Sequence, residues 1–234
     1  MKVVILCGGL GTRLSEETSV KPKPMVKIGQ KPILKHIIEL YSKYGYKEFI
    51  LALGYKGYYI KNYFQNKNKK NIKIKLVNTG KKTLTGGRLL RLKNFFKKDE
   101  NFMLTYGDGI SNQNLTKLKN FHLKHKKIGT MTVVRPPVRF GEVKLKNNLI
   151  TSFKEKPQSN NSWINGGFFV FNFKIFDLIK NDKIMLEKEP LTRLQKKKEL
   201  MAYKHGGFWQ CMDTLRDKNY LNNLYKANKL NWLK

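Results

Sequence analysis

Near its start the chain runs Val3-Val4-Ile5-Leu6-Cys7-Gly8-Gly9-Leu10-Gly11-Thr12-Arg13-Leu14, and Lys21-Pro22-Lys23-Pro24-Met25 follows shortly after. The first five of these residues form a continuous apolar, largely β-branched run, which suits a parallel strand buried on both faces. Three glycines then fall within four positions. Lacking Cβ atoms, they let backbone N–H groups come close to an anion. Thr12 adds a hydroxyl and Arg13 a planar cation matched to phosphate oxygens. Lys21 and Lys23 follow, stiffened by prolines that fix φ. A buried strand, a glycine turn and three cations together describe a site for a polyphosphate.

Rival loops fail on spacing. A Walker A loop requires Lys-Ser or Lys-Thr after its glycines, and none follows here. A dinucleotide fingerprint requires glycine three positions after Gly11, where this chain has Leu14. Glycines alone would mark only a tight strand-to-helix turn with solvated cations. The whole string is far more restrictive and favours phosphate binding.

With 234 residues, 40% of them hydrophobic, the chain suits one large globular domain. No apolar run approaches the ~20 residues of a membrane span. Met1 leads into a strand rather than a signal peptide, and the two cysteines, Cys7 and Cys211, give neither a disulfide framework nor zinc spacing. The expected location is the cytoplasm. Lysine and arginine number 48 against 16 acidic residues, a net charge of +32. Such a balance raises nucleic-acid binding. Against it, lysine dominates over arginine, the lysines are spread through the chain, and no helix-turn-helix, zinc finger or RNP string occurs.

Periodicity predicts a helix over 32–44, a buried strand over 48–53 and a short helix over 58–64. A solvated loop follows at 66–71, and Ile72, Ile74 and Leu76 alternate with lysines as in an edge strand. Thr79-Gly80 and Thr85-Gly86-Gly87-Arg88 bracket a second polar loop before a helix carrying Leu89, Leu92, Phe95 and Phe96. Residues 102–105 form a strand that ends in Tyr106-Gly107-Asp108-Gly109. A carboxylate just past the C-terminal end of a parallel strand stands where α/β sheets place their ligands. Beside a polyphosphate loop it reads as a ligand for a hard metal ion. A helix is expected over 114–125, with His122 and His125 structural. Strands are expected over 129–134, after Arg139-Phe140-Gly141, over 150–154, within 163–171 and over 200–205. Residues 214–228 form an apolar-faced helix, so Asp213 has an N-cap role as its plain alternative.

This chain resembles the sugar-1-phosphate nucleotidylyltransferases. The signature loop, TGGR, TYGDG, RFG, EKP, INGGFFVF and FWQ-x-MDTLRD occur in family order, and Ser15-Glu16-Glu17-Thr18 with Lys21 to Val26 looks like the branch that transfers cytidylyl groups to glucose 1-phosphate. The resemblance implies an α/β, Rossmann-like nucleotidyltransferase fold: a mostly parallel sheet, helices on both faces and a β-rich sugar-binding extension. It implies a single domain, with residues 1–128 mainly binding nucleotide, 129–213 mainly sugar phosphate, and a C-terminal helix over 214–234.

The implied reaction is CTP plus glucose 1-phosphate giving CDP-glucose and pyrophosphate, by direct in-line displacement with Mg²⁺. Arg13, Lys23 and Asp108 would be catalytic. Nucleotide contacts would come from Leu6, Gly8, Gly9, Gly11, Thr12, Arg13, Lys23, Thr83, Thr85, Gly86, Arg88 and Gly107. Gly141, Glu155, Lys156, Asn165 and Gly166 would bind the sugar phosphate, and Asp108 with Asp213 the metal. A homo-oligomer is implied, with no membrane and no nucleic acid. A shorter segment between Phe64 and Ile72, Lys81 and Lys82 beside the nucleotide loop, and Cys211 in place of a usual proline depart from the family pattern. A different nucleotide or acceptor, and a noncatalytic or nucleic-acid-binding protein on this fold, are the alternative readings.

Overall fold

The computed structural model describes residues 1–65, 71–136, 142–154, 162–230 and 232. Besides two two-residue strands, Lys27–Ile28 and Lys31–Pro32, its strands are β1 (Val3–Cys7), β2 (Glu48–Leu53), β3 (Lys73–Asn78), β4 (Asn101–Tyr106), β5 (Gly109–Ser111), β6 (Gly129–Val134), β7 (Glu142–Lys146), β8 (Leu149–Lys154), β9 (Ile164–Asn172), β10 (Leu200–His205) and β11 (Trp209–Cys211). Its longer helices are α1 (Ile33–Lys43), α2 (Gly57–Phe64), α3 (Thr85–Leu90), α4 (Leu115–His125), α5 (Glu189–Lys196) and α6 (Leu215–Lys226). Seven strands make the central sheet, in the order β10-β6-β9-β4-β1-β2-β3. Within it only β9 runs antiparallel to its neighbours.

All five residues of β1 are buried. A pleated strand sends alternate side chains to opposite faces, and here both faces are covered. Val3, Ile5 and Cys7 enter one core with Ile37, Tyr41 and Leu118, while Val4 and Leu6 enter the other with Leu89, Leu104 and Phe169. Helices α1, α2, α4 and α6 cover the first face; α3 and α5 cover the second. The apolar run lacks polar alternation because neither side of β1 meets water. β3 does alternate, exposed against half-buried, as an edge strand should.

The structure corrects one expectation and adds one helix. Thr85-Gly86-Gly87-Arg88 is not a loop before a helix but the first turns of α3, which stops at Leu90; a 3₁₀ turn, Lys93–Phe95, carries the apolar face onward to Phe96. The strands β6, β9 and β10 of the β-rich second half extend the central sheet. β7 and β8 form a separate two-stranded antiparallel hairpin, and β11 pairs with β5 outside the central sheet. Helix α5 was not foreseen, being a single eight-residue segment whose one strong signal is Pro190 near its start. The expected loop over 66–71 and the Arg139-Phe140-Gly141 string fall largely outside the described residues, and the strand expected after that string is β7.

His122 and His125 are structural, as expected, and so is His36. His36 Nδ1 accepts from the Trp232 indole at 3.4 Å while Nε2 faces the Ile28 carbonyl at 3.0 Å. His122 and His125 both bond the Thr130 hydroxyl, at 2.8 and 2.7 Å. Among the described residues no helix is long and apolar enough to cross a membrane.

Candidate active site

The C-terminal ends of β1 and β4 open into one large cleft of about 1800 Å³. The glycine loop forms its floor. Gly9 has open space where a Cβ would point, and Gly11 has φ +70°, a left-handed conformation that glycine adopts without strain. The Gly11 carbonyl accepts from the buried Thr18 hydroxyl at 2.9 Å and from Leu14 N at 3.0 Å. Thr12 and Arg13 lie in the 3₁₀ turn that follows.

Lys23 sits between Pro22 and Pro24 in a second 3₁₀ turn, with only 7% of the residue exposed. Its ammonium donates to Asp108 Oδ2 at 2.7 Å and to Asp213 Oδ1. Burial alone would lower this ammonium's pKa. Attraction and hydrogen bonding to Asp108, then to Asp213, outweigh burial and hold it above the ordinary lysine value. Arg13 reaches the other oxygen of Asp213, Oδ2, at 2.5 Å, from a side chain that is 74% exposed. Two carboxylates and two cations thus meet at one point beside the glycine loop.

Their meeting depends on backbone pairing. Asp108 lies in the turn between β4 and β5. β5 pairs antiparallel with β11, with Gly109 opposite Cys211, and Met212 N donates to the Asp108 carbonyl at 2.9 Å. That ladder places Asp213 against Asp108. Gly107 permits the close approach on the other side: a Cβ there would meet Pro24 Cγ at 2.9 Å and the Leu6 carbonyl at 3.0 Å. Asp213 is not the N-cap of α6. Thr214 is, and Asp217 completes a capping box. One Asp217 oxygen accepts from Asp213 N, Thr214 N and the Thr214 hydroxyl, and the other from Gln210 Nε2. Asp217 therefore fixes the segment that carries Asp213. The pattern Thr214-x-x-Asp217 was the sequence signal for it.

Of the TGGR string, Thr85 and Arg88 line the cleft. The Arg88 guanidinium is 4% exposed and donates to the carbonyls of Leu53, Gly80, Gly8 and Lys81 and to the Thr79 hydroxyl. It ties the glycine loop to the loop at residues 79–81. Gly8 leaves room for it, since a Cβ there would lie 2.2 Å from the guanidinium. Gly86, also expected at the nucleotide, is not among the residues that line the cleft. It packs instead on residues 182–186: its N–H donates to Ile184 O at 3.0 Å, and a Cβ would meet that oxygen at 2.8 Å. The Thr85 hydroxyl does face the cleft, but it donates to Glu187 Oε2 at 2.6 Å and accepts from Leu186 N at 2.9 Å.

Leu6, Thr83, Gly107, Asn165 and Gly166 all line the same cleft. Asn165 and Gly166 sit where the β6–β9 register shifts; Asn165 Oδ1 accepts from Gly167 N at 2.8 Å, and the Gly166 carbonyl accepts from the Trp209 indole at 2.7 Å. Gly141, Glu155 and Lys156 lie outside the described residues. Neither cysteine offers a nucleophile. Burial first, then Asp108, pushes the Cys7 thiol far up; burial first, then Asp213 and Asp108, pushes Cys211 up to about 12.

A glycine loop on a buried strand, followed by a cleft with paired carboxylates at the strand ends, defines a nucleotide-handling α/β enzyme. The chain matches the nucleotidyl transferase family over residues 2–216, and it belongs to that family. It is 48% identical to a glucose-1-phosphate cytidylyltransferase of Salmonella typhimurium, over 99% of this chain and 98% of that one. It is 41% identical to a probable glucose-1-phosphate cytidylyltransferase of Bacillus subtilis, over 99% of each. In fold it is similar to a putative glucose-1-phosphate thymidylyltransferase from Bacillus anthracis, with a TM-score of 0.76 at 20% identity, covering 96% of this chain and 94% of that one.

Proposed function

We propose that this chain transfers the cytidylyl group of CTP to the phosphate of glucose 1-phosphate, giving CDP-glucose and pyrophosphate. The observation that carries the reaction type is the convergence of Lys23, Asp108, Asp213 and Arg13 beside the glycine loop. The relatives at 48% and 41% identity support the choice of nucleotide and sugar.

The acceptor phosphate oxygen attacks the α-phosphorus in line with departing pyrophosphate, so no protein nucleophile is required. The chain's part is positioning and charge neutralisation. Backbone N–H groups from Gly8 to Thr12 cradle the triphosphate, and the exposed Arg13 side chain pairs with its oxygens. Lys23, held rigid by its prolines, neutralises charge that grows on the α-phosphate. Lys156 and Glu155 take the sugar phosphate and a sugar hydroxyl, and Asn165 and Gly166, which line the cleft, bind the same substrate. Thr83 shapes the nucleotide pocket, and Arg88 keeps the loop carbonyls turned away from the phosphates.

The donor set fits a divalent cation. Asp108 and Asp213 are hard oxygen donors from separate segments that already converge on one positive group. Among the described residues no cluster of three or more ligating side chains occurs. Two carboxylates, with water and phosphate completing the shell, are what Mg²⁺ ordinarily takes. Bound there, Mg²⁺ supplies Lewis-acid stabilisation of phosphate charge.

Pyrophosphate release measured across CTP, dTTP, UTP, ATP and GTP with glucose 1-phosphate tests the proposal. CTP is expected to give the highest kcat/KM. Equal or better rates with dTTP or UTP would reassign the nucleotide.

A further inference from the structure

Glu187 lines the same cleft as Lys23 and has no part in the chemistry described above. Its two oxygens are held by two hydroxyls. Oε2 accepts from Thr85 Oγ1 at 2.6 Å, and Oε1 accepts from Tyr106 OH at 2.5 Å. Its acidic neighbours are paired, Asp182 with Arg91 and Glu189 with Arg193. Among the described residues Glu187 has no such cation, although the chain carries 48 of them. The carboxylate is half-buried. A carboxylate oxygen accepts two hydrogen bonds, so each Glu187 oxygen keeps one accepting position after these contacts.

The two hydroxyls also fix where that capacity points. Thr85 opens helix α3 beside the nucleotide loop. Tyr106 ends β4 immediately before Gly107 and Asp108, and its ring lies under Gly167, where a Cβ would come within 2.6 Å. Gly167 adjoins Asn165 and Gly166. Glu187 therefore stands at the seam between the nucleotide side of the cleft and the acceptor side. An unpaired negative group repels phosphate, so it serves only a neutral, donor-bearing part of a substrate. Sugar hydroxyls have that chemistry.

We infer that Glu187 is a substrate-binding residue whose carboxylate accepts a hydrogen bond from a sugar hydroxyl, of the nucleotide ribose or of the acceptor hexose. This rests on the reading that the cleft takes a nucleoside triphosphate and a sugar phosphate. Thr85 and Tyr106 orient the carboxylate for the purpose.

The test is equilibrium binding by calorimetry with the full chain and with Glu187→Gln, whose folding is checked by circular dichroism and melting. Ligands are CTP, its 2′-deoxy and 3′-deoxy forms, glucose 1-phosphate, and its ring-deoxy forms. Losing a hydrogen bond to a charged acceptor should weaken the parent ligand about ten-fold or more. The deoxy analogue missing the donating hydroxyl should bind the wild type and Glu187→Gln nearly alike. That analogue identifies the source, ribose or hexose. Unchanged affinity for both parents, or an equal loss for the parents and every deoxy analogue, overturns the assignment and leaves Glu187 a structural tie between β4 and α3. Wild-type chain that binds neither CTP nor glucose 1-phosphate overturns the functional reading itself, and this assignment with it.

Discussion

The Lys23 ammonium is bonded to the Asp213 carboxylate across 190 residues of sequence, and the same nitrogen holds Asp108. Lys23 is buried, and the two carboxylates hold its ammonium charged. The three groups act as one unit, and single substitutions there will not be additive.

Asp108→Asn should cut turnover by about 10²–10³ while the chain stays folded, because it removes one charged oxygen from the point where phosphate charge builds. Pyrophosphate release with Mg²⁺ varied measures it. Wild-type turnover in a folded Asp108→Asn enzyme would refute the metal assignment.

Lys23→Met and Lys156→Met should separate by substrate. Lys23 faces the chemistry, so its loss should mainly lower kcat. Lys156 is proposed on the sugar phosphate, so its loss should raise KM for glucose 1-phosphate and spare that for CTP. Each change should amount to about one to two decades, the worth of a charge-assisted hydrogen bond. Steady-state kinetics with each substrate varied in turn decides it. Identical losses for both variants, falling on CTP alone, would remove Lys156 from the acceptor site.

Asp217→Ala should destabilise the fold by about 1–2 kcal/mol through the lost capping box and should also lower activity, because the Asp213 backbone loses its anchor. Urea denaturation and pyrophosphate release, read on one preparation, check both effects. Full activity in a destabilised Asp217→Ala would separate the cap from the placement of Asp213.

Gly87→Ala should be among the more damaging single changes outside the cleft. A Cβ there would lie 2.4 Å from the Asp182 carbonyl and 2.5 Å from its Cα, backbone atoms that cannot swing aside. Overpacking of this kind costs about 1–3 kcal/mol or more. A midpoint in urea equal to wild type would show that segment 182–186 yields freely.

Stability should fall between pH 6.5 and 4. Burial, then the neighbouring His125, pushes the His122 imidazole down to about 4, so the folded chain keeps it neutral where the unfolded chain takes up a proton. Its contribution is full above the unfolded value and is lost as pH falls through that window, a change of roughly 3 kcal/mol. Melting temperatures of wild type and His122→Gln across this range check it. The variant should show the shallower slope, and parallel slopes would mean that other groups dominate.

Much of this molecule follows from local sequence. The unbroken apolar run of β1 required two covered faces, because no residue in it tolerates water. Gly11 required a left-handed turn, and Asp108 between two glycines could only lie in a loop at the end of β4. The lysine-rich alternation of β3 required an edge. Tertiary structure decided the rest. Lys23, Asp108 and Asp213 become a site only when β5 pairs with β11. Arg88 reads in sequence as a phosphate ligand, yet its guanidinium closes on carbonyls from two loops and the end of β2. Glu187 carries no local motif, and its place is set by hydroxyls 81 and 102 residues away. Spacing along a chain reports the period and the turns of its own segment. Which distant carboxylate or carbonyl a side chain meets depends on how those segments pack against one another.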